Sequence, residues 1–490
     1  MNQERMEGSG DAMGEKSKGI GGIHILNMND CRSANQRLWP GWGAACKAGF
    51  MMTISLLLML VLPLQAARAA ETNRDLVPLQ PIIDSVSSGA VIKLQAGTTY
   101  AGPIVIDKPL TLIGDASVTI INHQEKAAIS IQADDVKLSG FTVEHHGGQP
   151  AAAVHITGSN NEVNGLTIRT KGAGLLLRDA DSALLGHNTI EWAGKSTASS
   201  TQKGNGIDLF NSDHSRIEGN QIQGVLDGIY LENSRKALVQ DNRLLRTRYG
   251  IHCMYINGSS VMNNTGEENM TGGMIMGVKN TLVSGNIFRK QSTNVHSQGI
   301  LLYDVHQSKI TSNTVEGNRV GMNIAESSSN EIRDNDITRN FVGIQMVLAE
   351  GNTFTQNRFI SNVIDASAMD SKSNKMKGNY WDSFQGLDVN QDGMSDLPYA
   401  INPFYEQLIS RNAAYQLFFQ SPGMVFLSDL HSEGKSSWTT DETPQIRIGE
   451  QQAGATKTDR QSRSGLVGLL GMLLLGLSAG TMIYMGVGRK

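Results

Sequence analysis

Asn220, Asn242, Asn264 and Asn286 stand 22 residues apart, and after a step of 27 the same interval links Asn313, Asn335, Asn357 and Asn379. A glycine series keeps time with them: Gly206, Gly228, Gly250 and Gly272, then Gly299, Gly321 and Gly343 after the same five extra residues. Two series that share a period and an interruption require a repeated supersecondary unit, which has to be recognised before chain length is divided into domains. A 22-residue unit is too short for the helix pair of longer solenoid repeats, and the leucine-rich consensus is absent. Short β-prone segments punctuated by Gly, Asn and Ser suit one coil of a parallel β-helix. The fold expected is all-β: a single-stranded, right-handed parallel β-helix with 22-residue coils over 70–380.

Columns read across the coils set the phase of each strand, because successive side chains point to opposite faces and stacked coils superpose equivalent positions. The position after the glycine reads Ile207, Ile229, Ile251, Gly273, Ile300, Met322, Ile344, and two further on stand Leu209, Leu231, Cys253, Ile275, Leu302, Ile324, Met346. These columns are expected inside, with Cys253 as a small buried hydrophobe. The intervening columns, which include Asp208, Tyr230, His252, Met274 and Glu232, Met254, Met276, are mixed and expected outside. The repeated asparagines belong to turns, stacked coil upon coil as a structural device. At about 4.8 Å per coil, about a dozen coils make a rod on the order of 60 Å long, which offers surface and no deep pocket.

Five extra residues lie in "RKQSTNVHSQ" before Gly299 and ten in "AGKSTASSTQK" before Gly206, at the same point of the coil. Both insertions therefore leave by one edge, either as the working face or as neutral excursions. Beside that edge His252 and Met254 share one rung and Met274 and Met276 the next. One imidazole and three flexible thioethers at that spacing can converge on a soft ion such as Cu(I), with His296 of the inserted loop as a fifth candidate. The alternative is apolar packing beneath a loop or a partner protein.

"DVNQDGMSD" places Asp388, Asn390, Asp392, Met394 and Asp396 at positions 1, 3, 5, 7 and 9 of an EF-hand-type loop, with Gly393 at the turn. Tyr399 replaces the bidentate Glu of position 12, so the alternatives are a structural calcium clip and an ordinary Asx-rich turn. For catalysis, glycoside cleavage needs paired carboxylates on one outer face. Asp208 and Glu232 are the nearest pair, and no further acidic or basic groups continue their columns. No catalytic residue is assigned.

The ends carry targeting signals. Residues 53–64, "TISLLLMLVLPL", follow Lys47 and precede Ala67-Arg68-Ala69, the pattern of a secretory signal peptide cleaved before Ala70. Translation starts at Met51 or Met52, or else the region ahead of the apolar run is extended. Residues 465–488 carry no charge, are long enough to span a bilayer and are followed by Arg489 and Lys490, which makes them a candidate transmembrane anchor. The expected organisation is an N-terminal extension and signal over 1–69, the β-helix over 70–380, a calcium-loop-like segment and cap over 381–431, a flexible linker over 432–464 and the anchor over 465–488. Cys31 and Cys46 precede the cleavage point, so the exported chain keeps Cys253 alone and forms no internal disulfide. A formal net charge of -4 over 490 residues argues against a nucleic-acid partner.

"RYGIHCMY" (248–255), "GNYWDSFQGLDVNQDGMSDLPY" (378–399) and "PFYEQLISRNAAYQLFFQSPGMVFL" (403–427) closely resemble the NosD family, extracytoplasmic maturation proteins of nitrous oxide reductase. The resemblance covers about residues 76–430, and its closing segment is far more specific than the repeats, which many sugar-binding and sugar-cleaving β-helices share. It implies a non-enzymatic, copper-handling role. The implied partners are the reductase, the ATPase and membrane subunits of an ABC transporter, and a copper-carrying lipoprotein. The C-terminal anchor departs from the soluble family pattern and implies tethering to the outer side of a membrane. A carbohydrate-binding or polyuronide-cleaving β-helix is the competing reading.

Overall fold

The structure, a computed structural model, describes residues 76–447 apart from 196–197, 292–293, 295, 419–420 and 432–437. One coil shows the plan. Ile229–Glu232 lies in a first sheet, Leu238–Gln240 in a second and Arg243–Leu245 in a third, and Tyr249–Met254 then returns to the first, one rung along. Among the described residues the first sheet has 12 strands, the second 15 and the third 14. Strand pairs between coils are parallel and in register at the 22-residue step, as in Ile207↔Ile229↔Ile251. A parallel β-solenoid is the architecture that the repeats demanded.

The strand phase follows the columns. Ile207, Ile229, Ile251, Leu209, Leu231 and Cys253 are all fully buried, in one core cluster that runs from Leu79 to Ile401. Burial pushes the Cys253 thiol up to about 12, so it stays a neutral core group. The glycine series has a steric cause. A Cβ on Gly228 would stand 2.5 Å from the carbonyl oxygen of Gly250, and one on Gly250 2.5 Å from that of Gly272. Coils meet backbone to backbone at this corner, so any side chain would force them apart.

The asparagine series is a continuous buried ladder. Asn242 Nδ2 donates to Asn264 Oδ1 at 2.9 Å and to Ile217 O at 2.9 Å, while its backbone N–H donates to the same Asn264 Oδ1 at 3.0 Å. The pattern runs from Asn188 to Asn379 and satisfies turn groups that no sheet reaches.

Both ends of the core are closed. At the start, Gln80–Ser85 forms a helix, with Ile83 on it and Leu79 just ahead of it fully buried. At the finish, Phe359, Trp381 and Tyr399 stack at centroid distances of 4.0 and 4.5 Å. Residues 438–447 differ from the flexible linker expected over 432–464: Thr440–Asp441 pairs with Tyr399–Ala400, Met376 faces Asp441, and Asp441 is fully buried. The segment folds back because Asp441 supplies the acceptors that the last asparagine needs. The expected signal peptide and the apolar segment 465–488 lie outside the described residues. Among those described, no helix is long and apolar enough to cross a membrane.

Candidate functional site

Asp227 ends the turn before the strand Ile229–Glu232, and its side chain is wholly buried. Arg248, one coil on, grips it through Nε to Oδ1 at 2.8 Å and Nη2 to Oδ2 at 2.7 Å. The same Oδ2 lies 3.0 Å from Nδ1 of His252. Burial pushes the Asp227 carboxyl upward, but the bonds from Arg248 and His252 outweigh it and hold the group below the usual carboxylate range. A carboxylate held in its charged form selects the Nδ1–H tautomer of a neutral imidazole, which leaves the lone pair on Nε2. His252 Nε2 is buried and has no hydrogen-bond partner among the described residues.

The expectation that this imidazole faces solvent is corrected: His252 points out of the coil yet is only 6% exposed. Tyr230 and Tyr249 meet it edge-on at centroid distances of 4.9 and 4.8 Å, and Arg248 lies over Tyr249. The thioethers fall where the columns put them. His252 pairs with Met274 and Met254 with Met276 on the neighbouring strand, and all three methionines are half-buried. The Tyr230 hydroxyl donates to Glu232 Oε2 at 2.6 Å and lies 3.4 Å from Met254 Sδ. His296 is exposed on the second inserted loop, and among the described residues its ring has no hydrogen-bond or ring partner. Both insertions do leave by the edge between third and first sheets, between Thr189–Trp192 and Ile207–Phe210 and between Ile287–Arg289 and Gln298–His306.

The calcium expectation is not carried by the geometry. Asp388 turns both oxygens on the loop's own N–H groups, accepting from Asp392 at 3.1 Å and Gly393 at 3.0 Å. Asp392 accepts from Met394 N and from Asn390 Nδ2, and Asp396 from Val389 N. The loop is an Asx-rich turn closed on itself, and among the described residues no three His, Cys, Asp or Glu side chains gather as a metal site. Asp208 and Glu232 do not stand as a free carboxylate pair. Asp208 is bound by Arg178 and Asn205, and Glu232 accepts from Tyr230.

Asp227 and Arg248 escaped the sequence reading. The column before each glycine reads Asn205, Asp227, Tyr249, Thr271, and a carboxylate standing alone there was the available signal.

Residues 187–386, which contain this cluster, match the family model "Periplasmic copper-binding protein (NosD)". Two relatives are each named "Probable ABC transporter binding protein NosD". That of Stutzerimonas stutzeri is 27% identical over 443 residues, covering 77% of this chain and 89% of the relative. That of Pseudomonas aeruginosa is 28% identical over 426 residues, covering 76% and 89%. Among solved structures, an exopolygalacturonase of Yersinia enterocolitica superposes with a TM-score of 0.47 at 10% identity over 60% of this chain and 74% of its own. A likeness that distant says nothing about activity.

Proposed function

We propose that the chain, which is similar to the NosD family, is a non-enzymatic, extracytoplasmic scaffold that hands copper to nitrous oxide reductase during assembly of the reductase's copper centres. The family's description as periplasmic and copper-binding supports the location and the cargo. The name of the two relatives supports docking to an ABC transporter, with its ATPase and membrane subunits, beside the apo-reductase. A copper-carrying lipoprotein is the donor in this reading, and residues 465–488 hold the chain to the outer face of the membrane.

Copper is cargo here. The observation that carries the reading is the buried Nε2 of His252, unpartnered among the described residues, fixed from behind by Asp227 and set in register with Met274. A buried nitrogen with no donor or acceptor to meet costs free energy, which a ligated ion recovers. His252, Met254, Met274 and Met276 would hold the ion, and His296 would approach from the loop. Imidazole and thioether donors favour Cu(I) over hard cations. Anaerobic Cu(I) titration of the full chain tests the ligand set: His252→Ala/Met274→Ala should bind at least about tenfold more weakly than wild type. Unchanged affinity removes these residues as ligands. A reductase with its full copper complement in cells lacking this protein removes the maturation role itself.

A further inference from the structure

A hollow opens on the outer face of the first sheet, two rungs toward the N-terminus from His252, beside the first inserted loop. Its volume is about 540 Å³, within the range of small-molecule sites, and Gln149, Leu176, Arg178, Lys203, Asn205 and Asp208 line it. Asp208 is 9% exposed, and its two oxygens accept from Arg178 Nη1 and Asn205 Nδ2, each at 2.7 Å. The same Nη1 faces the carbonyls of Leu177 at 2.7 Å and Asp208 at 3.4 Å, while Arg178 Nε and Nη2 meet no acceptor among the described residues. Lys203 Nζ donates to Gly224 O at 2.8 Å and lies 5.8 Å from the ring of Trp192. A Cβ at Gly204 would fall 2.4 Å from the backbone of Ala173 and Gly172 and 2.3 Å from Gln149 Nε2, so glycine there lets the loop close against the coil beside the hollow.

These groups define a ligand by what they leave unsatisfied. Arg178 and Lys203 bring two positive charges against the single carboxylate of Asp208, so the balance calls for an anion. Each Asp208 oxygen accepts one bond and retains a second lone pair, so the balance also calls for hydroxyl donors. Leu176 supplies an apolar floor. We propose that this hollow binds a polyhydroxylated carboxylate, a sugar acid of one or two rings, with its carboxylate toward Lys203 and Arg178 and its hydroxyls toward Asp208 and Gln149.

Calorimetric titration of the full chain with galacturonate and digalacturonate, against glucose and acetate, tests this. A sugar acid should bind at least about tenfold more tightly than glucose, which lacks the charge, or acetate, which lacks the hydroxyls. Lys203→Met leaves the Arg178–Asp208 pair in place and should weaken binding by a similar factor, whereas His252→Ala should not change it. No heat from either sugar acid at millimolar concentration, equal binding of acetate, or full affinity in Lys203→Met would each overturn the assignment. Cu(I) binding should be unaltered by Lys203→Met, so the hollow and the copper reading fail separately.

Discussion

Asp227 holds His252 and touches no cargo in the proposed reading, so it is a positioning residue, and its removal should be visible in two different measurements. In Asp227→Asn the amide sets an N–H₂ against the donors of Arg248 and His252, loosening the tautomer and orientation that leave Nε2 available. Cu(I) affinity should fall by about ten- to hundredfold, the usual cost of losing such an outer partner. The second measurement is melting temperature against pH. The folded carboxyl titrates below its ordinary value of 3.8, so its stabilising effect is present above that value and is lost as pH falls through the folded pKa. The gap between wild type and Asp227→Asn should therefore hold steady at neutral pH and close in acid. A gap that widens in acid, or an unchanged Cu(I) affinity, would contradict the role. At this scale the column of His252 was legible, since strand alternation fixes it. Its burial was not, because Asp227 reaches it, and Arg248 holds Asp227, from turn positions that alternation does not govern.

Each asparagine in the ladder passes hydrogen bonding in one direction, donating to the next coil's oxygen and accepting from the coil before. This series ends on a group that accepts without donating, Asp441. Its Oδ2 receives Asn379 N at 3.0 Å, Asn379 Nδ2 at 2.8 Å and Trp381 Nε1 at 3.2 Å, and its Oδ1 receives Gly378 N at 3.1 Å. Asp441→Asn would put an amide N–H₂ among buried donors and should cost about 2 kcal/mol or more in denaturant unfolding, although the side chain keeps its size. A stability equal to wild type would show that 438–447 does not seal the solenoid. One turn ladder shows the same letter in every coil from Asn188 to Asn379, whereas two others keep asparagine coil after coil only toward the C-terminal end. A second passes through Thr247, Asn269, Gln291, Asn318, Asn340 and Asn362, and a third through Ser308, Asn330, Asn352 and Asn374. Ser, Thr and Gln share the donor and acceptor chemistry of Asn there, so the period persists in function while the letters change. Asp441 was hidden for a different reason: it lies outside the repeat, and its partner Asn379 is 62 residues away.

Across the solenoid, a constant interval of 22 residues revealed the coil, and the two departures from it revealed the edge where coils are interrupted. Periodic burial is the part of a repeat fold that a sequence displays openly, whereas docking surfaces follow no period. The two insertions flank opposite ends of the same stretch of the first sheet. The first borders the hollow at Asp208, and the second enters the coil just after Met274 and Met276. The second is a five-residue departure from the repeat. Deleting residues 292–296 restores a 22-residue step between Gly272 and Gly299 and keeps Gln291, whose side chain accepts from Asn269 N and donates to Gly266 O at 2.8 Å within the ladder. The shortened chain should therefore fold, with β-sheet circular dichroism and melting temperature close to wild type. If this edge is where the transporter or the apo-reductase docks, the deletion should weaken capture of that partner by about tenfold or more while leaving stability alone, since interface loops carry affinity and the scaffold carries the fold. Equal capture of both partners by the shortened and full-length chains would move the docking surface off this edge. A shortened chain that fails to fold would instead show that the insertion is part of the coil's own structure.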